Sequence, residues 1–203
     1  MRWSSWLDEL PKVGQFSLER CLKQSDCARV VSCQLHHFSD ASDIAYASVS
    51  YLRLADSQGK IQCFFLMGKS RLATLKPLTI PRMEKLSVAV LSTRLDALMR
   101  QALDIAIQNC FFWTDSTCVL RYLANDDQRY EIFVANPVAA IRGQSSPSQW
   151  KYVNTKSNQA NDASRGLSAD AIMKDNQWIM GPDFLWIDEE AWPHASIPPS
   201  DPG

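Results

Sequence analysis

The opening stretch, Met1-Arg2-Trp3-Ser4-Ser5-Trp6-Leu7-Asp8-Glu9-Leu10, lacks the apolar core of a signal peptide. No later run approaches the roughly 20 apolar residues that cross a bilayer. Secretion and membrane anchoring are therefore not expected, and a cytoplasmic or nuclear setting is. The six cysteines contain no C-x-x-C pair. Several lie in apolar runs, where cysteine acts as a small hydrophobe, so reduced thiols are expected. A net charge of −1 and a pI near 6.3 exclude a polybasic tail, so any nucleic-acid surface must be a local patch. Gly68-Lys69-Ser70-Arg71 lacks the upstream glycine of a phosphate loop and opens no helix, so it reads as an ordinary basic turn. There is no internal repeat.

What is present suffices for a full core: 203 residues, 46% of them hydrophobic. Trp3, Trp6, Leu7 and Leu10 fall at helical spacing before Pro11 and Gly14, so residues 1–34 read as a helix and connector. A domain over 35–168 and an extension over 169–203 follow, with a Pro-rich tail expected to be disordered from about residue 195. Alternation predicts a strand entering from Leu35, a kink, a return strand through Tyr46, Val49, Tyr51 and Leu52, a turn at Asp56–Lys60, and a third strand over Ile61–Met67. Pro81 opens a long helix to about Gln101, with Glu84, Val88, Leu91, Leu95, Leu98 and Ala102 on one stripe. Cys110–Thr114 reads as a strand, residues 129–144 as a helix broken or kinked at Pro137, Trp150–Val153 as a last strand, and Asn158–Gly166 as a short helix ended by glycine. Beyond it Trp178, Phe184, Trp186 and Trp192 are aromatic anchors.

Three acids stand out in this order. Asp40 falls mid-sheet, where a carboxylate without a base is costly unless it binds a cation or neutralises. Glu84 begins the core-facing stripe, although a first-turn glutamate is also favoured by the helix dipole. Asp115 ends the fourth strand, where capping the next helix is a competing explanation. If the three converge they raise one another's pKa, and they stay ionised only where a divalent cation neutralises them. All-oxygen ligation selects Mg²⁺ or Mn²⁺, and such a site suits phosphodiester hydrolysis with two ions.

The stretches His36-His37-Phe38-Ser39-Asp40-Ala41-Ser42, Met67-Gly68-Lys69-Ser70-Arg71, Ile80-Pro81-Arg82-Met83-Glu84, Phe112-Trp113-Thr114-Asp115-Ser116-Thr117, Pro147-Ser148-Gln149-Trp150 and Ala163-Ser164-Arg165-Gly166 jointly resemble the ribonuclease H-like region of BEL/Pao-type retrotransposon polyproteins, also described as the Pao retrotransposon peptidase region. The resemblance implies an α/β fold, a mixed five-stranded sheet with three antiparallel strands first and helices on its flanks. It implies cleavage of RNA in RNA–DNA hybrids during reverse transcription, beside the reverse transcriptase and integrase regions of a parent polyprotein. Carried over by position, Asp40 bridges two ions, Glu84 and Asp115 complete one shell, and an acid of the last helix holds the other. Asn161 stands where that last acid belongs and can ligate the second ion through its amide oxygen without bringing charge, while Asp162 next to it, about 100° round a helix, is the imperfect catalytic substitute. A weaker second ion follows. The histidine that cellular ribonucleases H carry before the last helix has no counterpart in Val153–Asn158. Ser42, Arg82, Ser116 and Thr117 flank the acids and are the candidates for contacting the hybrid, whose wide minor groove displays 2′-hydroxyls. Two other functions remain: a catalytically silent nucleic-acid- or protein-binding module, and an aspartic peptidase, for which Asp115-Ser116-Thr117 lacks the glycine of the usual loop. The tryptophan-bearing start and proline-rich end read as excision from a longer chain.

Overall fold

Strands β1 (Val30–Ala41), β2 (Ala45–Asp56) and β3 (Ile61–Leu72) form an antiparallel meander. The computed structural model describes residues 3–15, 17, 22, 28–73, 81–125, 130–174 and 177–193. Cys21, Cys27, the side chain of Arg82 and the tail from 194 lie outside the described residues. The β2–β3 turn is built by Asp56, whose Oδ1 accepts from the amides of Gln58 and Lys60, both at 2.9 Å. Gly59 takes the left-handed conformation at its tip, φ 81°. Parallel pairing adds β4 (Asn109–Thr114) to β1 and β5 (Trp150–Tyr152) to β4. The sheet order is β3-β2-β1-β4-β5, a mixed sheet flanked by helices.

Two expectations change here. Gly68-Lys69-Ser70-Arg71 is no turn; it is the exposed end of β3, paired with Ala47–Tyr46 and Val49–Ser48 of β2. Twelve-residue β2 offers backbone partners along its whole length, and a Cβ on Gly68 would lie 3.4 Å from the Trp178 ring. Asp40, expected at mid-strand, is the penultimate residue of β1 and so lies at the sheet's carboxyl edge.

Side chains alternate across β1, which divides the core in two. Cys33, Leu35 and His37 face α2 (Pro81–Ala102), α3 (Thr117–Ala124) and α4 (Ile132–Arg142), where Leu52, Leu86, Leu95, Phe112, Val119, Leu123 and Ile141 pack together. The α2 stripe departs from expectation: Leu98 is 47% exposed while Met99 is buried. Positions 84, 88, 91, 95 and 98 follow a 3.5-residue repeat, which drifts round a straight helix by about 20° per heptad and so rotates Leu98 off the sheet. Helix α4 runs through Pro137 without interruption, and Arg142 Nη2 ties it to α3 by donating to the carbonyls of Tyr122, Leu123 and Asn125.

On the other face Gln34, His36, Phe38 and Asp40 meet the C-terminal segment: α5 (Ala160–Arg165), α6 (Ala169–Lys174), α7 (Gln177–Met180) and 3₁₀ turns at Asp183–Trp186 and Glu189–Ala191. The aromatic anchors close this core. Trp113 stacks on Phe38 and packs against Phe184 and Trp192. Buried Arg53 fixes the segment to the sheet, donating to the carbonyls of Leu185 (2.8 Å) and Ile187 (2.9 Å) and to Gln34 Oε1 (3.1 Å) with its guanidinium over Trp192. Buried His36 is held neutral, mainly by loss of solvation and also by the Arg53 charge, which suits its Nδ1 to accept from Trp113 Nε1 at 3.1 Å. At the periphery α1 (Trp3–Val13) docks on α6 through Lys12–Asp170 and through Glu9, which accepts from the Ala169 amide. Among the described residues no helix is long and apolar enough to cross a membrane.

Candidate active site

The β1–β4 register ends with Ser39 opposite Thr114, so the next residue of each chain, Asp40 and Asp115, comes side by side at the carboxyl edge of the sheet. Asp40 is 7% exposed and its Oδ2 accepts a 2.6 Å bond from Ser164 Oγ on α5. That helix is anchored by Asn158, which donates to the Ser39 carbonyl (3.0 Å) while its Oδ1 accepts from the Ala160 amide. Asp115 is not a helix cap: Ser116 holds that position, and Asp115 Oδ2 instead accepts from Thr155 Oγ1 at 2.7 Å. Burial foremost, with the neighbouring Asp40 charge, pushes the Asp115 carboxyl above its ordinary value, against the Thr155 bond and the Lys85 ammonium.

Lys85, in the first turn of α2, lies close enough for its charge to act on Asp115; half-buried Glu84 precedes it, and among the described residues its carboxylate and those of the two aspartates do not all come within 4.8 Å of one another. Among the described residues Glu84 has no hydrogen bond or ion pair. Ser42 is engaged within the fold, its hydroxyl 2.9 Å from the Ser164 carbonyl and 3.2 Å from the Ala45 amide. Ser116 is buried with its hydroxyl against Cys118 Sγ, and half-buried Thr117 opens α3. Ser164, Thr155 and Lys85 were not singled out as site residues from the sequence. Only Ser164, within Ala163-Ser164-Arg165-Gly166, lies in a stretch that carried any signal.

These groups fit a hard divalent cation. Two neighbouring carboxylates repel, each has an oxygen held by a hydroxyl, and the second oxygen of Asp40 has no hydrogen-bond partner among the described residues.

A family model described as the Pao retrotransposon-like RNaseH-like domain matches residues 1–116, more than half of the chain. The chain belongs to the Pao retrotransposon-like RNaseH-like domain family. The matched part of this Pao domain contains Asp40, Glu84 and Asp115 and stops before α5. Among solved structures it is similar to RNase H1 from the halophilic archaeon Halobacterium salinarum NRC-1, at 11% identity over 71% of this chain and 99% of that one with a TM-score of 0.41. It is similar to LC11-RNase H1 in complex with an RNA/DNA hybrid, at 10% identity over 70% and 99% with a TM-score of 0.43. Part of the foamy viral protease-reverse transcriptase is also similar, at 16% identity over 76% of this chain and 26% of that one with a TM-score of 0.39. No curated protein matches the chain.

Helix α5 differs from the expected four-acid pattern in structure as in sequence. Asn161 Oδ1 accepts from Arg165 Nε at 2.7 Å, so its amide oxygen is already engaged one turn along α5. Burial chiefly, with Cys63 and then the Asp162 charge as lesser causes, pushes up the hydroxyl of Tyr51, four positions along β2 from the Ala47 paired with Asp40.

Proposed function

We propose that this Pao domain hydrolyses the RNA strand of RNA–DNA hybrids with two Mg²⁺ or Mn²⁺ ions, at a rate lowered by Asn161. The observation that carries the reading is the meeting of Asp40 and Asp115 at the carboxyl ends of the neighbouring parallel strands β1 and β4; Glu84, in the first turn of α2, is the proposed third ligand. Asp40, Glu84 and Asp115 would hold the ions. When bound, such ions supply Lewis acidity toward the scissile phosphodiester and its nucleophile. Ser164 and Thr155 orient the two aspartates by fixing one oxygen of each, and Lys85 adds positive charge where a phosphate would approach. Arg82 and Thr117 remain the proposed contacts to the hybrid, and the parent polyprotein's reverse transcriptase and integrase regions the proposed partners.

The Asn161–Arg165 bond favours a second reading, a silent module that binds hybrid without cutting it. The peptidase reading finds less: Asp115 passes through Ser116 directly into α3, without a flexible glycine turn. The deciding assay follows a labelled RNA–DNA hybrid in Mg²⁺ and then Mn²⁺, comparing this chain with Asp40→Asn and Asn161→Asp. Cleavage that Asp40→Asn abolishes and Asn161→Asp raises supports the nuclease. Cleavage by Asn161→Asp alone leaves binding as the role of this chain, and metal-independent proteolysis overturns both.

A further inference from the structure

On the helical face of the sheet His37, Asp96 and Cys110 meet, and none belongs to the acid site. Their ligand atoms lie within 4.8 Å of one another, with His37 Nε2 3.3 Å from Asp96 Oδ1. They come from β1, α2 and β4; β1 and α2 also carry Asp40 and Glu84, and β4 ends one residue before Asp115. His37 is three residues from Asp40, about 10 Å along the strand and pointing to the opposite face.

We propose that His37, Asp96 and Cys110 bind one Zn²⁺ or a similarly soft divalent ion, which fastens β1, α2 and β4 together. Imidazole, thiolate and carboxylate form a mixed N/S/O donor set suited to Zn²⁺, whereas Mg²⁺ and Mn²⁺ prefer oxygen. The far ring nitrogen of His37, Nδ1, is 2.7 Å from Ser50 Oγ. A second partner of this kind orients a ligating imidazole and leaves Nε2 for the ion. Access runs past Arg100: the Asp96 side chain is 11% exposed and that of Arg100 37%. Arg100 Nε donates to both Asp96 oxygens, at 3.0 and 2.9 Å, and so competes with an ion for that carboxylate. Three protein ligands leave a fourth position on the Arg100 side. Burial, and the Asp96 charge after it, push the Cys110 thiol well up, so the metal-free protein keeps that proton. Ion binding replaces the S–H bond by a metal–sulfur bond and releases one proton to buffer.

The test titrates the reduced, chelator-stripped full chain with Co²⁺, followed by thiolate-to-cobalt charge-transfer absorption, and then with Zn²⁺. One equivalent of Co²⁺ should produce the band, Zn²⁺ should abolish it and Mg²⁺ should not. Zn²⁺ at about a hundredfold excess over its Kd should raise Tm by about 5–10 °C. Cys110→Ser should lose the band while Cys118→Ser and Asp115→Asn keep it. Arg100→Gln, at a partly exposed position that leaves the core intact, should tighten binding severalfold. A missing band in the wild type, a band that survives Cys110→Ser or disappears in Asp115→Asn, or unchanged or weaker binding in Arg100→Gln overturns the site and returns these residues to a plain hydrogen-bonded network. None of these readouts depends on nuclease activity.

Discussion

Replacing Asp115 with asparagine should abolish cleavage and at the same time make the metal-free protein more stable. Asp40, near the end of β1, and Asp115, just past the end of β4, are separated by about one strand spacing, about 4.8 Å, where two unit charges repel by about 3.5 kcal/mol at an effective dielectric of 20 and by about 0.9 kcal/mol in water. A partly buried edge lies between these limits, at about 2 kcal/mol. Asparagine still accepts from Thr155, but as a neutral acceptor it forfeits about 1 kcal/mol. The net gain is about 1 kcal/mol, or about 2–4 °C in Tm for a chain of this size. Its pH dependence has a definite sign. The folded-state pKa of Asp115 is raised, chiefly by burial, so its contribution to stability is complete below the ordinary carboxylate value near 3.9 and is lost as pH rises through the raised value. The variant's advantage should therefore be present at pH 7 in chelator and absent in acid. Saturating Mg²⁺ should reverse the order, since it stabilises the wild type by about 2.7 kcal/mol at a hundredfold excess over Kd. Thermal melts of both proteins across pH, with chelator and with Mg²⁺, measure all three effects. A variant that melts below the wild type in chelator at pH 7, or an order indifferent to Mg²⁺, refutes the argument.

Ser164→Ala removes the 2.6 Å charge-assisted bond to buried Asp40 and should cost about 1.5–3 kcal/mol, measured by urea unfolding. Arg53→Met removes the donor to the Leu185 carbonyl and one of the two donors to that of Ile187, which keeps Trp192 Nε1. It should cost about 3 kcal/mol and speed amide exchange over residues 183–192 more than in β1. Gly166→Ala meets open space but must adopt φ 86° with ψ 145°, a region essentially reserved to glycine, so a loss of about 1–3 kcal/mol in a thermal melt is expected from backbone strain alone.

The meander was legible because β1 and β2 alternate small, polar and bulky residues on a two-residue period, and the Asp56–Lys60 turn declares itself by Asp and Gly. The extent of β3 was not, because Gly68-Lys69-Ser70-Arg71 has no strand propensity of its own; β2 imposes the pairing. Leu98 was misplaced for want of a second element against which to measure helical drift. Asp40 and Asp115 were noticeable as acids beside apolar strands, but their adjacency is a property of parallel register, which no local pattern encodes. Thr155 and Lys85 are ordinary polar residues in sequence and acquire meaning only from what they face. The same holds for His37, Asp96 and Cys110, which share no motif spacing.

The connectivity of β1 also fixes an order of events in folding. Its bonds to β2 close a tight hairpin, whereas its bonds to β4 wait on a crossover through β2, β3 and all of α2. Contacts that close short loops are kinetically favoured over those that close long ones. The meander can thus consolidate while Asp40 has only one flank covered, and the two aspartates meet when β4 docks. The least comfortable contact in the sheet is postponed until the surrounding hydrophobic burial can outweigh it, and a cation that relieves it acts on this last step.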